Sequence, residues 1–121
     1  MRKTIFIADD NPHIRLLLTQ FLIKDFDVKA FEDGSELMNG LLQGNIPDLI
    51  IADILMPKLN GWDLINKIKG VKFFKQIPVV MLSGVDKSEE KVKYLNAGVN
   101  DFMVKPFSPQ ELLARITKIL N

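Results

Sequence analysis

A chain of 121 residues with a formal net charge of +1 is long enough for one domain with a real core, and it carries no global basic field that would draw it to nucleic acid. Hydrophobic residues make up 47% and charged residues 26%, the balance of a soluble globule, and the lack of cysteine excludes disulfides, thiolate nucleophiles and thiolate zinc sites. No apolar run approaches the roughly 18 residues of a membrane span, and the basic start MRKTIFIADDNP meets two acids and a proline too soon for a signal peptide, so a cytoplasmic protein with no membrane partner is expected.

Strand-like and helix-like segments alternate throughout. TIFIA (4–8) reads as a buried strand. In NPHIRLLLTQFLIKD, the residues Ile14, Leu17, Leu18, Phe21 and Leu22 fall at helical spacing, with Asn11 as cap and Pro12 in the first turn. DVKAF (27–31) is a short strand, and SELMNGLLQ (35–43) a helix with Leu37, Met38, Leu41 and Leu42 on one face, ended by Gly44. DLIIA (48–52) is a strand, followed by a loop through Pro57 to Gly61 and a helix with Leu64, Ile65, Ile68 and Val71 inward. PVVML (78–82) precedes DKSEEKVKYLNAG, where Ser88 is the expected cap. The apolar face of that helix is thin, mainly Val92 and Leu95, so it is expected to be the loosest, with Lys87, Lys91 and Tyr94 exposed. DFMV (101–104) leads to Ser108-Pro109-Gln110-Glu111, a capping box, and a last helix burying Leu112, Leu113, Ile116, Ile119 and Leu120.

Five βα units with unbroken apolar strands imply an α/β fold: a doubly wound, five-stranded parallel sheet, flavodoxin-like, in the order 2-1-3-4-5. No linker or low-complexity tract interrupts it, so residues 1–121 read as one domain. No DNA-binding or enzymatic segment follows the last helix, which suits either a stand-alone unit or one cut from a longer chain.

Polar residues follow four of the five strands: Asp9 and Asp10, Asp53, Ser83, and Lys105. Judged singly, each has a plain explanation. Acids before a helix cap it, an Asp or Ser-Gly opens a turn, and a lysine is a solvated strand end. Together they converge on the carboxyl edge of the sheet, where open α/β folds bind ligands, and in this strand order Asp9, Asp10 and Asp53 flank the topological switch point. Close carboxylates repel unless a cation sits among them, and hard oxygen ligands suit Mg²⁺ or Mn²⁺. A carboxylate there can attack phosphorus, with Lys105 and the metal offsetting phosphoryl charge and Ser83 donating a hydroxyl.

The stretches ADDNPHIR (8–15), DILMPKLNGWDL (53–64), IPVVMLSG (77–84) and AGVNDFMVKPF (97–107) resemble those of the response-regulator receiver domain of two-component signalling, from Ile5 to about Leu120. The resemblance implies that Asp53 is the phosphoacceptor, taking a phosphoryl group from the phosphohistidine of a sensor histidine kinase or phosphotransfer protein. It implies that Asp9, Asp10, Asp53 and the backbone carbonyl of Leu55 hold Mg²⁺. Ser83 takes the hydroxyl position, Lys105 the ammonium position, and Lys105-Pro106 the family's cis peptide. Phe102 holds the place of an aromatic switch residue that turns inward on activation. The helix 4–strand 5–helix 5 surface would then signal to a downstream protein, with no direct contact to nucleic acid. Leu55 and Val85, two residues after Asp53 and Ser83, border the phosphoryl position with apolar side chains.

Two other readings share the fold. A small Mg²⁺-dependent phosphohydrolase of the haloacid-dehalogenase kind also uses an Asp nucleophile, but in a DxDx[TV] pattern on the first strand; here that strand ends ADDNP and the chain is too short for a cap. A flavin module needs a phosphate-cradling loop after the first strand, where DDNPH is acidic. His13 reads as solvated, Trp62 as half-buried packing, and KIKGVKFFKQ (67–76) as a solvated turn over a hydrophobic anchor.

Overall fold

A computed structural model describes residues 2–121. The strands are β1 (Thr4–Ala8), β2 (Asp27–Phe31), β3 (Leu49–Asp53), β4 (Val79–Ser83) and β5 (Asp101–Val104). They alternate with α1 (Pro12–Leu22), α2 (Gly34–Leu42), α3 (Gly61–Lys69), α4 (Ser88–Asn96) and α5 (Pro109–Leu120). The sheet is parallel, in the expected order β2-β1-β3-β4-β5.

Side chains of successive strand residues point to opposite faces, so each strand feeds two cores. Phe6, Ala8, Ile50, Ala52, Val79, Met81 and Phe102 pack under α2, α3 and α4. Ile5, Ile7, Leu49, Ile51, Val80, Leu82 and Met103 pack under α1 and α5. Strands β3 and β4 are buried along their whole length, which is why they read as apolar runs. Strand β2 lies at the edge, and most of its residues are open to solvent.

The caps follow side-chain chemistry at four helices. Asn11 Oδ1 accepts from His13 N and Ile14 N, Asp33 Oδ1 from Glu36 N, Asn60 Oδ1 from Asp63 N, and Ser108 Oγ from Glu111 N. Helix α4 differs from the expectation at Ser88. The extended residue is Lys87, so Ser88 is already helical and no side chain caps the helix.

The inward faces need four corrections. Leu17 and Leu42 are exposed, because α1 and α2 turn narrower stripes, centred on Leu18 and Leu22 and on Leu37 and Leu41, toward the sheet. Val71 lies beyond the end of α3, at Lys69, and is exposed. In α4, Val92 and Leu95 face solvent and Tyr94 is the buried side chain, 1% exposed. Tyr94 lies about 200° round an ideal helix from Val92. A single large ring on the sheet side therefore outweighs two aliphatic residues on the outer side. His13 is exposed, Trp62 half-buried, and Phe74 rather than Phe73 is the anchor beneath the 67–76 turn.

Candidate phosphoryl and cation site

The site is assembled by strand ends. Asp9 follows β1, and its N–H donates to Phe31 O at 3.2 Å, continuing the ladder to β2. Asp53 ends β3. Ser83 ends β4, and Lys105 N donates to Ser83 O at 2.7 Å just past β5. One carboxylate oxygen from each of Asp9, Asp10 and Asp53 lies within 4.8 Å of the others. Asp9 is fully buried, Asp53 nearly so, and Asp10 is exposed.

Lys105 closes the cluster. Its Nζ donates to Asp53 Oδ2 at 3.0 Å and to Asp9 Oδ2 at 3.2 Å. The remaining oxygens are aimed by backbone: Asn11 N donates to Asp9 Oδ1 at 2.9 Å and Leu55 N to Asp53 Oδ1 at 3.4 Å. Burial, reinforced by the Asp9 charge, raises the Asp53 carboxyl above the ordinary range, and the Lys105 hydrogen bond offsets only part of this. Burial alone would lower the Lys105 ammonium, but its contacts with Asp53 and Asp9 together raise it. The protein thus holds two desolvated carboxylates against one ammonium, with a third carboxylate open to water. The unbalanced negative charge and all-oxygen donor set fit a hard divalent cation that keeps some of its water.

Ser83 stands at the end of β4 as expected, and Phe102 lies on β5. Ser83 Oγ donates to Val85 O at 2.9 Å and accepts from Val85 N at 3.0 Å, so the hydroxyl is held by its own loop. Phe102 already lies inside, 3% exposed, with its ring centroid 5.8 Å from that of Tyr94. Tyr94 also meets Trp62 edge-on at 5.2 Å, and Lys93 Nζ lies 4.1 Å from the Trp62 ring centroid. The Lys105–Pro106 peptide is cis.

The β3–α3 loop is clipped at its base. Gly61 N donates to Ile54 O at 2.8 Å, and a Cβ on Gly61 would lie 2.9 Å from Asp53 O. At the loop's far side, a Cβ on Gly34 would lie 2.7 Å from Leu59 O. Between these anchors Leu55 projects outward, 72% exposed, and Lys58 adopts a left-handed φ of 66° within 3.9 Å of Asp33 Oδ2. One contributor has no clear mark in the sequence, and a second, Tyr94, is buried where exposure is expected. Arg15 Nη1 donates to Asp9 O at 2.8 Å, signalled only by a basic residue six positions after the acid. Tyr94 was masked by the charged residues around it.

Residues 5–117 match the family model of the response regulator receiver domain, and the chain belongs to that family. The alkaline phosphatase synthesis transcriptional regulatory protein PhoP of Bacillus subtilis (strain 168) is 36% identical over 122 residues, taking in 100% of this chain and 50% of PhoP. The sensor histidine kinase TmoS of Ectopseudomonas mendocina is 33% identical over 117 residues, 97% of this chain and 12% of TmoS. Among solved structures, a response regulator from Chloroflexus aurantiacus J-10-fl superposes with a TM-score of 0.91 at 30% identity, covering 99% of this chain and 98% of that one. The chain spans half or less of the length of these two curated relatives. Receiver domains pair with histidine kinases in two-component signalling and act as switches rather than turnover enzymes. Among the described residues, no helix is long and apolar enough to cross a membrane.

Proposed function

We propose that residues 1–121 form one receiver unit that accepts a phosphoryl group on Asp53 from the phosphohistidine of a histidine kinase or phosphotransfer protein. The observation that carries this is Lys105 Nζ bridging Asp53 and Asp9 at 3.0 and 3.2 Å beside the three-carboxylate cluster. Asp9, Asp10, Asp53 and the carbonyl of Leu55 would hold Mg²⁺, or Mn²⁺, which supplies positive charge to the phosphoryl oxygens when bound. An Asp53 carboxylate oxygen forms the new P–O bond as the donor's P–N bond breaks, its electrons going to the imidazole. Lys105 is placed to shift from Asp53 to a phosphoryl oxygen, offsetting the added charge. Water attack at phosphorus later breaks the P–O bond, restores the carboxylate and releases phosphate.

The route outward starts at Ser83. A phosphoryl oxygen is a stronger acceptor than Val85 O, and exchanging one hydrogen bond for a charge-assisted one favours the rearranged loop. That loop leads into α4, whose one buried side chain is Tyr94 against Phe102. Moving the loop re-seats α4 about Tyr94 and changes the α4–β5–α5 surface, the face offered to a downstream protein.

The test is acetyl phosphate with Mg²⁺, read by intact-mass spectrometry. One hydroxylamine-labile phosphoryl group is expected, absent in Asp53→Ala and uncoupled from the structural response in Lys105→Ala. Labelling that persists in Asp53→Ala moves the acceptor elsewhere, and steady turnover of p-nitrophenyl phosphate would make the protein a phosphohydrolase instead.

A further inference from the structure

We propose that Arg15 is a positioning residue of the cation site, setting the direction of the Asp10 carboxylate through the backbone. The inference rests on the reading of the acidic cluster as a Mg²⁺ site. Asp9 O, which accepts from Arg15 Nη1 at 2.8 Å, is the oxygen of the peptide that joins Asp9 to Asp10. Asp9 is fixed on every side: its N–H by Phe31 O, its Oδ1 by Asn11 N and its Oδ2 by Lys105. Among the described residues, no hydrogen bond holds the Asp10 carboxylate. The peptide preceding it sets where its Cα–Cβ bond points, and so which rotamers reach the cluster, and Arg15 is the side chain that pins that peptide. The arginine is itself held on α1, where its N–H donates to Asn11 O and Thr19 Oγ1 donates to its carbonyl. Arg15 and Asp10 line the same open groove of about 460 Å³, together with Glu32, Asp33 and Lys58.

Charge and positioning make opposite predictions here. A guanidinium beside a cation site repels the cation, so removing it should tighten binding if charge were its only effect. If it orients the ligand pair, removing it should weaken binding, because outer partners that aim metal ligands are worth about 10- to 100-fold in affinity. An ordinary structural residue would lower the melting temperature and leave the affinity of the folded protein unchanged.

The experiment titrates Mg²⁺ into the whole chain by calorimetry, with Mn²⁺ water-proton relaxation as a second probe. Arg15→Ala is expected to bind about tenfold more weakly. Arg15→Lys, which keeps the charge and one donor but not the planar fork, should recover part of the loss. Affinity equal to or tighter than wild type in Arg15→Ala overturns the proposal. Should Arg15→Ala fail to fold, Arg15→Lys decides: a weaker affinity supports positioning and an unchanged one overturns it. Asp10→Asn separates the two layers. If it leaves Mg²⁺ binding intact, the acidic cluster is not the site and both readings fall; if it weakens binding while Arg15→Ala does not, only the role of Arg15 falls.

Discussion

Tyr94 is where α4 is fastened, and truncating it should show how much of that helix depends on one ring. The side chain is 1% exposed, lies 5.2 Å from Trp62 and 5.8 Å from Phe102, and is the only buried residue of a helix without a side-chain cap. Truncating a buried aromatic to alanine costs about 3–5 kcal/mol. An outer-layer helix can settle into the space, which puts Tyr94→Ala near the lower figure. Against a domain stability of about 5–15 kcal/mol, the variant should still fold. Urea denaturation followed by circular dichroism measures the loss, and hydrogen exchange should show residues 88–96 opening well before the sheet. Tyr94→Phe removes only the hydroxyl and keeps the ring volume, so it should stay within about 1.5 kcal/mol of wild type at neutral pH. The two differ at high pH. Burial, then the charges of Glu90, Asp63 and Asp53, push the Tyr94 phenol up to about 12. The unfolded chain ionises near its ordinary value of about 10, so it gives up its proton first. Wild type therefore keeps its full stability below about 10 and loses it relative to Tyr94→Phe as pH rises toward about 12. A Tyr94→Ala loss under about 1 kcal/mol, or superimposable pH profiles for wild type and Tyr94→Phe, would refute the view that this ring is the anchor.

Asp10→Asn relieves like-charge repulsion beside Asp9 and Asp53, so its metal-free melting temperature should rise while its Mg²⁺ affinity falls; thermal melts with and without Mg²⁺ read both. Leu55 and Val85, 72% and 46% exposed, flank the mouth of the site without a group to hold water, so Leu55→Asn with Val85→Glu should shorten the half-life of the phosphorylated protein, and an unchanged half-life sets the limit elsewhere. Ser83→Ala should still be phosphorylated but should lose most of the NMR shift change at Phe102 and residues 86–97 on addition of beryllofluoride; a full response would remove the hydroxyl from the trigger.

The sheet and most of the site were legible because burial on both faces leaves a plain trace. TIFIA and PVVML have no polar face to interrupt them, so their ends are marked by the first charged or hydroxyl residue. That is how Lys105 could be placed beside Asp9, 96 residues away. Side-chain choices with more than one satisfied state were not legible. The Ser83 hydroxyl can serve its own loop or a ligand, and nothing in the sequence marks the ring it forms with Val85. Tyr94 sits among lysines and glutamates, and counting aliphatic residues on α4 favoured Val92 and Leu95, which face water. The bond from Arg15 to Asp9 O ends on main chain, where sequence carries no mark.

The clip between Ile54 and Gly61 separates the exposed side chains of the loop from the strand end that carries Asp53. The loop it closes leaves the sheet and returns to it through a single 2.8 Å hydrogen bond, with glycine required where α3 abuts Asp53. Leu55 projects into solvent and can change without moving the backbone that ends β3, whereas Lys58, at a left-handed φ of 66°, accepts few replacements. The loop is thus anchored at both ends and open in the middle, so Leu55 can meet a docking partner while the end of β3 stays where the sheet holds it.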